Sequence, residues 1–270
     1  MGKQRSFLKW AGNKYHCLEH LLSVFPVAER LIEPFAGSGS IFMNTNYPNY
    51  LLAEKNPDLT ALFLHLQAEG NDFIRSCEDF FTPANNNREQ YIYIREQFNQ
   101  SKSPRQRAML FLYLNRHGYN GLCRYNQSGI YNVPFGLNLK PYFPKKEMEL
   151  FHQKSKNAQI IYGDFTETFA LANPGDFIYC DPPYSPKTTK SNFTAYTAQS
   201  FGVPEQLKLT QLAQDAASKG VTVIISNHDT PETRAYYHNA KIHSFDVKRF
   251  ISCNANARLQ ARELVAVFTK

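Results

Sequence analysis

The stretch "FIYCDPPYS", residues 177–185, brings together residue types that could do chemistry. An apolar and aromatic run ends in Asp181, followed by Pro182, Pro183 and Tyr184. Such a run reads as a buried strand, and an acid at its carboxyl end lies where an open parallel sheet binds ligands. The prolines restrict φ and lack N–H groups, so nearby carbonyls can face a ligand without competing donors. Asp181 and a backbone carbonyl would accept from an exocyclic amine, and Tyr184 offers a flat face to a base. Acceptors on the two hydrogens of adenine N6 favour a pyramidal nitrogen and stabilise the positive charge that grows as it attacks a methyl group. The plainer reading is a turn closing a core strand.

A second stretch, "LIEPFAGSGSIF", reads as strand, glycine turn and helix start. Gly37 and Gly39 allow close backbone approach to a ligand, and Ser38 or Ser40 could cap the helix. A phosphate loop is excluded because no Gly-Lys-Ser/Thr follows. A dinucleotide fingerprint fails because the place of the third glycine holds Phe42. The next strand, "YLLAE", ends in Glu54, seventeen residues after Gly37, where an acid can bond a ribose. Taken singly, a bare strand-to-helix turn and a solvated charge would explain these features. Together they describe a nucleoside pocket with no clamp for a pyrophosphate, which suits S-adenosylmethionine.

The elements that must position these residues follow from the apolar pattern. Seven short runs, "RLIEP", "YLLAE", "AQIIYGD", "DFIYCD", "TVIISN", "HSFDV" and "LVAVF", read as strands of a sheet covered on both faces. Helical patterns alternate with them, including "NKYHCLEHLLSVF" and "PEQLKLTQLAQDAASKG". The chain is therefore expected to be α/β with a mostly parallel, Rossmann-like, seven-stranded sheet. The middle breaks this alternation. After Pro57 it is helical, and "YNGLCRYNQSGIYNVPFG" then reads as a hairpin with its tip at Gln127-Ser128-Gly129. We expect a discontinuous catalytic domain, residues 1–56 and 145–270, with a smaller recognition domain at 57–144 whose hairpin spans 118–136.

The balance of 30 Lys+Arg against 23 Asp+Glu gives a net charge of +7 and favours an anionic partner, nucleic acid first. The five cysteines form no C-x-x-C pair, so no metal is expected and reduced thiols fit a cytosolic protein. The start "MGKQRSFLKW" lacks the apolar core of a signal peptide, and no apolar run nears the roughly 20 residues of a membrane span. A cytoplasmic monomer, in a bacterial nucleoid or in a host if phage-encoded, is the expectation.

The blocks "FLKWAGNK", "EPFAGSGS", "YLNRHGYNGLCRYN", "NVPFG", "DPPY", "NFTAY" and "ISNHDT" occur in the order found in one family. The chain resembles the Dam-type DNA adenine-N6 methyltransferases, which methylate GATC, over nearly its whole length. The resemblance implies an S-adenosylmethionine-dependent methyltransferase fold and duplex DNA as substrate. It implies that Trp10, Gly12 and Lys14 contact the methionine end of the cofactor and that Phe35, Gly37, Gly39 and Ser40 lie under it. Glu54, where the family usually has Asp, would bond the ribose, and Asp164 and Phe165 the cofactor adenine. Asp181 of the Asp-Pro-Pro-Tyr block would link the cofactor pocket to the target amine.

A duplex adenine reaches such a pocket only when flipped out, and a side chain must fill the vacated stack. The resemblance makes Tyr119 that ring, Leu122 a contact to a thymine methyl and Arg124 a reader of guanine. It matches Lys9 to the first guanine, while Arg116, Asn120, Asn126 and Asn132 would serve phosphates or the orphaned base. Pro134 lies in the same recognition segment. One departure stands out: where the family commonly has basic residues after "NVPFG", this chain reads "LNLK", with Leu137 and Leu139. Methylation of cytosine N4, RNA adenine or a protein glutamine is the alternative enzymatic reading, and those groups more often carry Ser or Asn in place of Asp181. A decayed relative that only binds DNA is the non-enzymatic one.

Overall fold

The computed structural model describes residues 2–184, 201–247 and 261–270. Strands β1 (Arg30–Glu33), β2 (Asn49–Glu54), β3 (Ala158–Tyr162), β4 (Phe177–Cys180), β5 (Thr222–His228), β6 (Lys241–Val247) and β7 (Ala261–Phe268) form one seven-stranded sheet in the order β3-β2-β1-β4-β5-β7-β6. All seven apolar runs are strands. The pairs from β3 to β5 are parallel, and β7 runs antiparallel to both its neighbours. Successive strand residues point to opposite faces. Leu31, Leu52, Tyr179 and Ile224 enter one buried cluster, while Ile32, Leu51, Ile178 and Ile225 enter the other.

Helices α1 (Leu18–Leu22), α2 (Ser40–Asn44), α3 (Pro57–Glu69), α4 (Asn71–Glu78), α5 (Arg88–Gln100), α6 (Pro104–His117) and α7 (Lys145–Ser155) precede or follow the first two strands. Helices α8 (Phe165–Phe169), α9 (Val203–Ser218) and α10 (Pro231–Tyr236) alternate with the later ones. Helices α8 and α9 cover one face through Phe165, Phe169, Leu209 and Ala213. The other face shares a continuous core with α3, α6 and α7, through Phe63, Phe111 and Phe151. Two local expectations are corrected. "NKYHCLEHLLSVF" forms only a 3-10 turn, Lys14–His16, and the five-residue α1, because the turn ends at Cys17 outside helical geometry. Neither Ser38 nor Ser40 caps α2: Gly39, with φ 70°, takes the cap position, which its lack of a Cβ permits.

Strand order reverses at β1, with β2 on one side and β4 on the other, so the carboxyl ends of β1 and β4 open a crevice between diverging connections. The glycine turn leaves β1 there, and Asp181 leaves β4 beside it, since Ile32 pairs with Ile178.

Candidate active site and nucleic-acid interface

The amino-terminal segment packs directly on the glycine turn. A Cβ at Gly37, where φ is 49°, would meet the Trp10 indole Nε1 at 3.0 Å. The Asn13 side chain donates to Ser38 Oγ (3.1 Å) and accepts from Ser40 Oγ (2.8 Å), while Ser6 Oγ donates to the Ser38 carbonyl (2.7 Å). Gly12, with φ 78°, lies in the same segment. Glu54, at the end of β2, accepts from the Gly37 N–H at 3.0 Å and the Asn56 N–H at 2.9 Å. Burial raises its pKa above the ordinary glutamate value against the pull of those donors. Phe35 stacks on Phe165 with ring centres 5.6 Å apart, and Phe201 meets Phe35 edge-on and Phe165 at a tilt, each at the same separation. Asp164 accepts from the Thr166 and Glu167 N–H groups as the cap of α8, so its side chain holds that helix start.

Asp181 is held from two sides. Lys14 Nζ lies 2.7 Å from each carboxylate oxygen, and Ser226 Oγ on β5 donates to Oδ1 at 3.1 Å. Tyr179 Oη in turn donates to Ser226 Oγ at 2.9 Å. Burial works against charge on the Lys14 ammonium, but the Asp181 carboxylate, with Tyr179 and Glu263, lifts its pKa above that of an ordinary lysine. The same ammonium sits 4.8 Å from the centre of the Tyr184 ring, and His228 meets that ring edge-on at 4.3 Å. Pro182 is buried and Pro183 exposed. Lys14, expected at the methionine end of a cofactor, thus bridges the amino-terminal segment to Asp181.

The expected DNA-contacting residues gather around the end of α6. Tyr119, Asn120 and Gly121 form a 3-10 turn, with Tyr119 49% exposed. Asn120 has φ 52°, a left-handed conformation that Asn tolerates better than most residues and that is frequent at functional sites. The hairpin is irregular, with isolated antiparallel bridges Gly118↔Phe135 and Tyr125↔Tyr131. Its tip is organised by Asn126, whose Oδ1 accepts from the Ser128 and Ile130 N–H groups at 3.0 and 2.9 Å. Arg124 Nε donates to Asn132 Oδ1 at 2.7 Å and a terminal nitrogen donates to the Asn132 carbonyl at 3.1 Å. Leu122 is half-buried, and Pro134 is exposed with its carbonyl accepting from Tyr119 N–H at 2.9 Å.

Lys9 is half-buried and reaches the Arg116 carbonyl at 3.4 Å. Arg116 itself is 8% exposed, donates to the Tyr142 carbonyl at 3.0 Å and lies over the Tyr142 ring. Leu137 and Leu139 are 91% and 97% exposed. Sequence reading passed over Asn13, Phe201, Ser226 and His228. Asn13 and Ser226 stood inside the noted blocks "FLKWAGNK" and "ISNHDT", and their polar side chains beside a glycine turn and at a strand end were the available signal. The block "NFTAY" lies outside the described residues.

A model of the D12 class N6 adenine-specific DNA methyltransferases matches residues 10–251. The chain is 46% identical over 270 residues to a DNA adenine methylase of Vibrio cholerae, covering 100% of this chain and 98% of that protein. It is 44% identical over 268 residues to the DNA adenine methylase of Escherichia coli K12, with 99% and 96% covered. A DNA adenine methylase of Serratia marcescens is 45% identical over 269 residues, with 99% and 100% covered.

Proposed function

Since the chain belongs to the D12 class N6 adenine-specific DNA methyltransferases and is an enzyme of Dam type, we propose that it transfers a methyl group from S-adenosylmethionine to adenine N6 in duplex GATC, flipping the base out of the helix. The observation that carries this reading is the placement of Asp181 next to the Gly37–Gly39 turn at the sheet's reversal point.

The residues present fit the cofactor. A half-buried acid at the end of β2, a stacked aromatic pair and a turn with no cation of its own suit an adenosine that carries no phosphate. Glu54 would hold the ribose, Phe35 and Phe165 the adenine, and Trp10 and Gly12 the methionine end. When bound, the cofactor supplies a methyl group on a positively charged sulfur. Asp181 then accepts a hydrogen bond from the target N6, with the carbonyls near Pro182 and Pro183 as further acceptors, and stabilises charge developing on that nitrogen. Lys14 and Ser226 fix the carboxylate so that it need not reorganise during transfer. The ring of Tyr184 lines the base pocket.

On the DNA side the segment 57–144, with the hairpin 118–136, would read the site. Tyr119 is exposed on a strained turn and is suited to fill the vacated stack. Arg124 would bind a guanine edge and Lys9 the first guanine, with Leu122 against a thymine methyl, Asn120 at the orphaned base and Pro134 in the same DNA-facing segment. Equilibrium binding of labelled S-adenosylmethionine tests the pocket. Glu54→Ala should weaken binding by at least ~10-fold, on the scale of a lost bond to a charged group, and unchanged binding would remove the acid from the pocket.

A further inference from the structure

We propose that Asn115 is a positioning residue that locks the segment carrying Lys9 to the turn carrying Tyr119 and Asn120, so that the two meet DNA in one fixed register. Asn115 lies in the last turn of α6 and is 1% exposed. Its side-chain amide is fully engaged. Oδ1 accepts from the Lys9 N–H at 2.9 Å, and Nδ2 donates to the Lys9 carbonyl at 2.7 Å and to the Gly121 carbonyl at 3.2 Å. The first two bonds pair the amide with both backbone groups of a residue 106 positions away, as a strand neighbour would. The third fastens the close of the turn that presents Tyr119.

The surroundings make this clamp close-fitting. A Cβ at Gly121, where φ is 64°, would meet Lys9 Cβ at 2.2 Å, so the two backbones approach as nearly as a glycine allows. The Lys9 ammonium also donates to the neighbouring Arg116 carbonyl, which steadies its side chain from the same helix end. A buried amide is costly unless its bonds are made. Asn115 follows the fully buried Leu112, Tyr113 and Leu114, where an apolar residue would serve packing as well. The polar choice is accounted for by what it holds. Lys9 comes from the amino-terminal segment and Tyr119 from the inserted segment, and Asn115 is the side chain bonded to the backbones of both Lys9 and the Tyr119 turn.

This inference rests on the reading that Lys9 contacts the first guanine and that Tyr119 fills the stack. Single-turnover methyl transfer should be measured on duplexes with GATC, with the first G·C pair changed, and with the pair assigned to Arg124 changed. The proteins are the wild type, Lys9→Ala, Asn115→Asp and Gly121→Ala. Asn115→Asp keeps the acceptor for the Lys9 N–H and loses both donors. It should lose ~5-fold or more of first-pair discrimination, the lower end of one base contact, and keep discrimination at the Arg124 pair. The double variant Lys9→Ala/Asn115→Asp should discriminate no worse than Lys9→Ala alone. With 2-aminopurine at the target position, the fluorescence rise on flipping should be smaller or slower in Asn115→Asp. Gly121→Ala disturbs the same contact from the opposite side and should show the same selective loss.

If Lys9→Ala loses first-pair discrimination while folded Asn115→Asp and Gly121→Ala keep it, the clamp is refuted. If Lys9→Ala keeps it, the reading of Lys9 falls, and the clamp's role with it. Hydrogen exchange of the wild-type protein gives a check that needs no variant. The Lys9 amide should stay protected in both free and DNA-bound protein, and its exposure on binding specific duplex would overturn a fixed register.

Discussion

Lys14 Nζ stands 2.7 Å from both carboxylate oxygens of Asp181, across 167 residues of sequence. The ammonium side chain is 5% exposed and the carboxylate 22%, so the cation is buried while its partner keeps some access to solvent. It has two separable consequences, one for the reaction and one for the fold. Asp181→Ala should reduce the single-turnover rate by at least ~100-fold, the scale of one preorganised electrostatic group, with DNA affinity retained. It also strands a buried cation, which costs about 3–5 kcal/mol in comparable pairs. Thermal melting should therefore show a loss that Lys14→Met in the same chain partly restores, while the rate stays low. A near-normal rate in folded Asp181→Ala would remove the residue from the chemistry.

Glu33, the last residue of β1, is 2% exposed, and its Oε1 has no hydrogen-bond partner. Burial pushes its carboxyl up to about 8, opposed only in part by the Phe42 N–H and Lys154. An acid with a raised folded pKa keeps its proton in the fold after the unfolded chain has released it. Its contribution therefore worsens as pH rises from the ordinary glutamate range, about 4.3, towards 8, and levels off above that. Glu33→Gln keeps the shape and an acceptor for Phe42 but does not titrate. Its melting temperature relative to wild type should rise between pH 5 and pH 8. A difference that is flat across that window would contradict the assignment.

Arg124 is braced by Asn132 through its Nε and a terminal nitrogen. Arg124→Ala should cost about 1–3 kcal/mol of discrimination at one base pair of the site. Asn132→Ala should weaken preference at that same pair by a smaller amount, because the guanidinium remains and loses only its brace. Methylation rates on duplexes varied one pair at a time decide this. Loss at a different pair in Asn132→Ala would break the link.

Leu137 is 91% exposed just beyond "NVPFG", so a cation placed there would reach solvent without disturbing the core. Leu137→Arg should steepen the dependence of log K on log salt by up to ~0.9 and tighten specific and non-specific duplex binding alike. An unchanged slope in the folded variant would mean that position 137 does not face phosphate.

The sheet was readable because each strand combines an apolar run with tight polar bounds, as in "DFIYCD" and "TVIISN". The helical stretch after Pro57 was readable for the same local reason, and it holds α5 (Arg88–Gln100) and α6 (Pro104–His117). The start of the chain was not, since "NKYHCLEHLLSVF" has helical spacing but its conformation is set by long-range bonds, Asn13 to Ser38 and Lys14 to Asp181. The partners of the candidate site were hidden for that reason too. Ser226 becomes meaningful only when β5 is laid beside β4, and Arg116 reads as a surface cation until Tyr142 folds over it. Leu137 and Leu139 departed from the basic pattern in sequence, and only the structure distinguishes exposed leucines from packed ones.

The reaction proposed for this protein is adenine-N6 transfer within duplex GATC. It is tested by incubating the protein with methyl-labelled S-adenosylmethionine and duplexes containing GATC or each single-pair variant, then digesting the DNA and identifying the labelled nucleoside. Label is expected in N6-methyladenine from the GATC duplex, with a sharp fall for every variant, including single-pair changes at the guanine positions. Label in another nucleoside, or equal labelling of GATC and its variants, would contradict it.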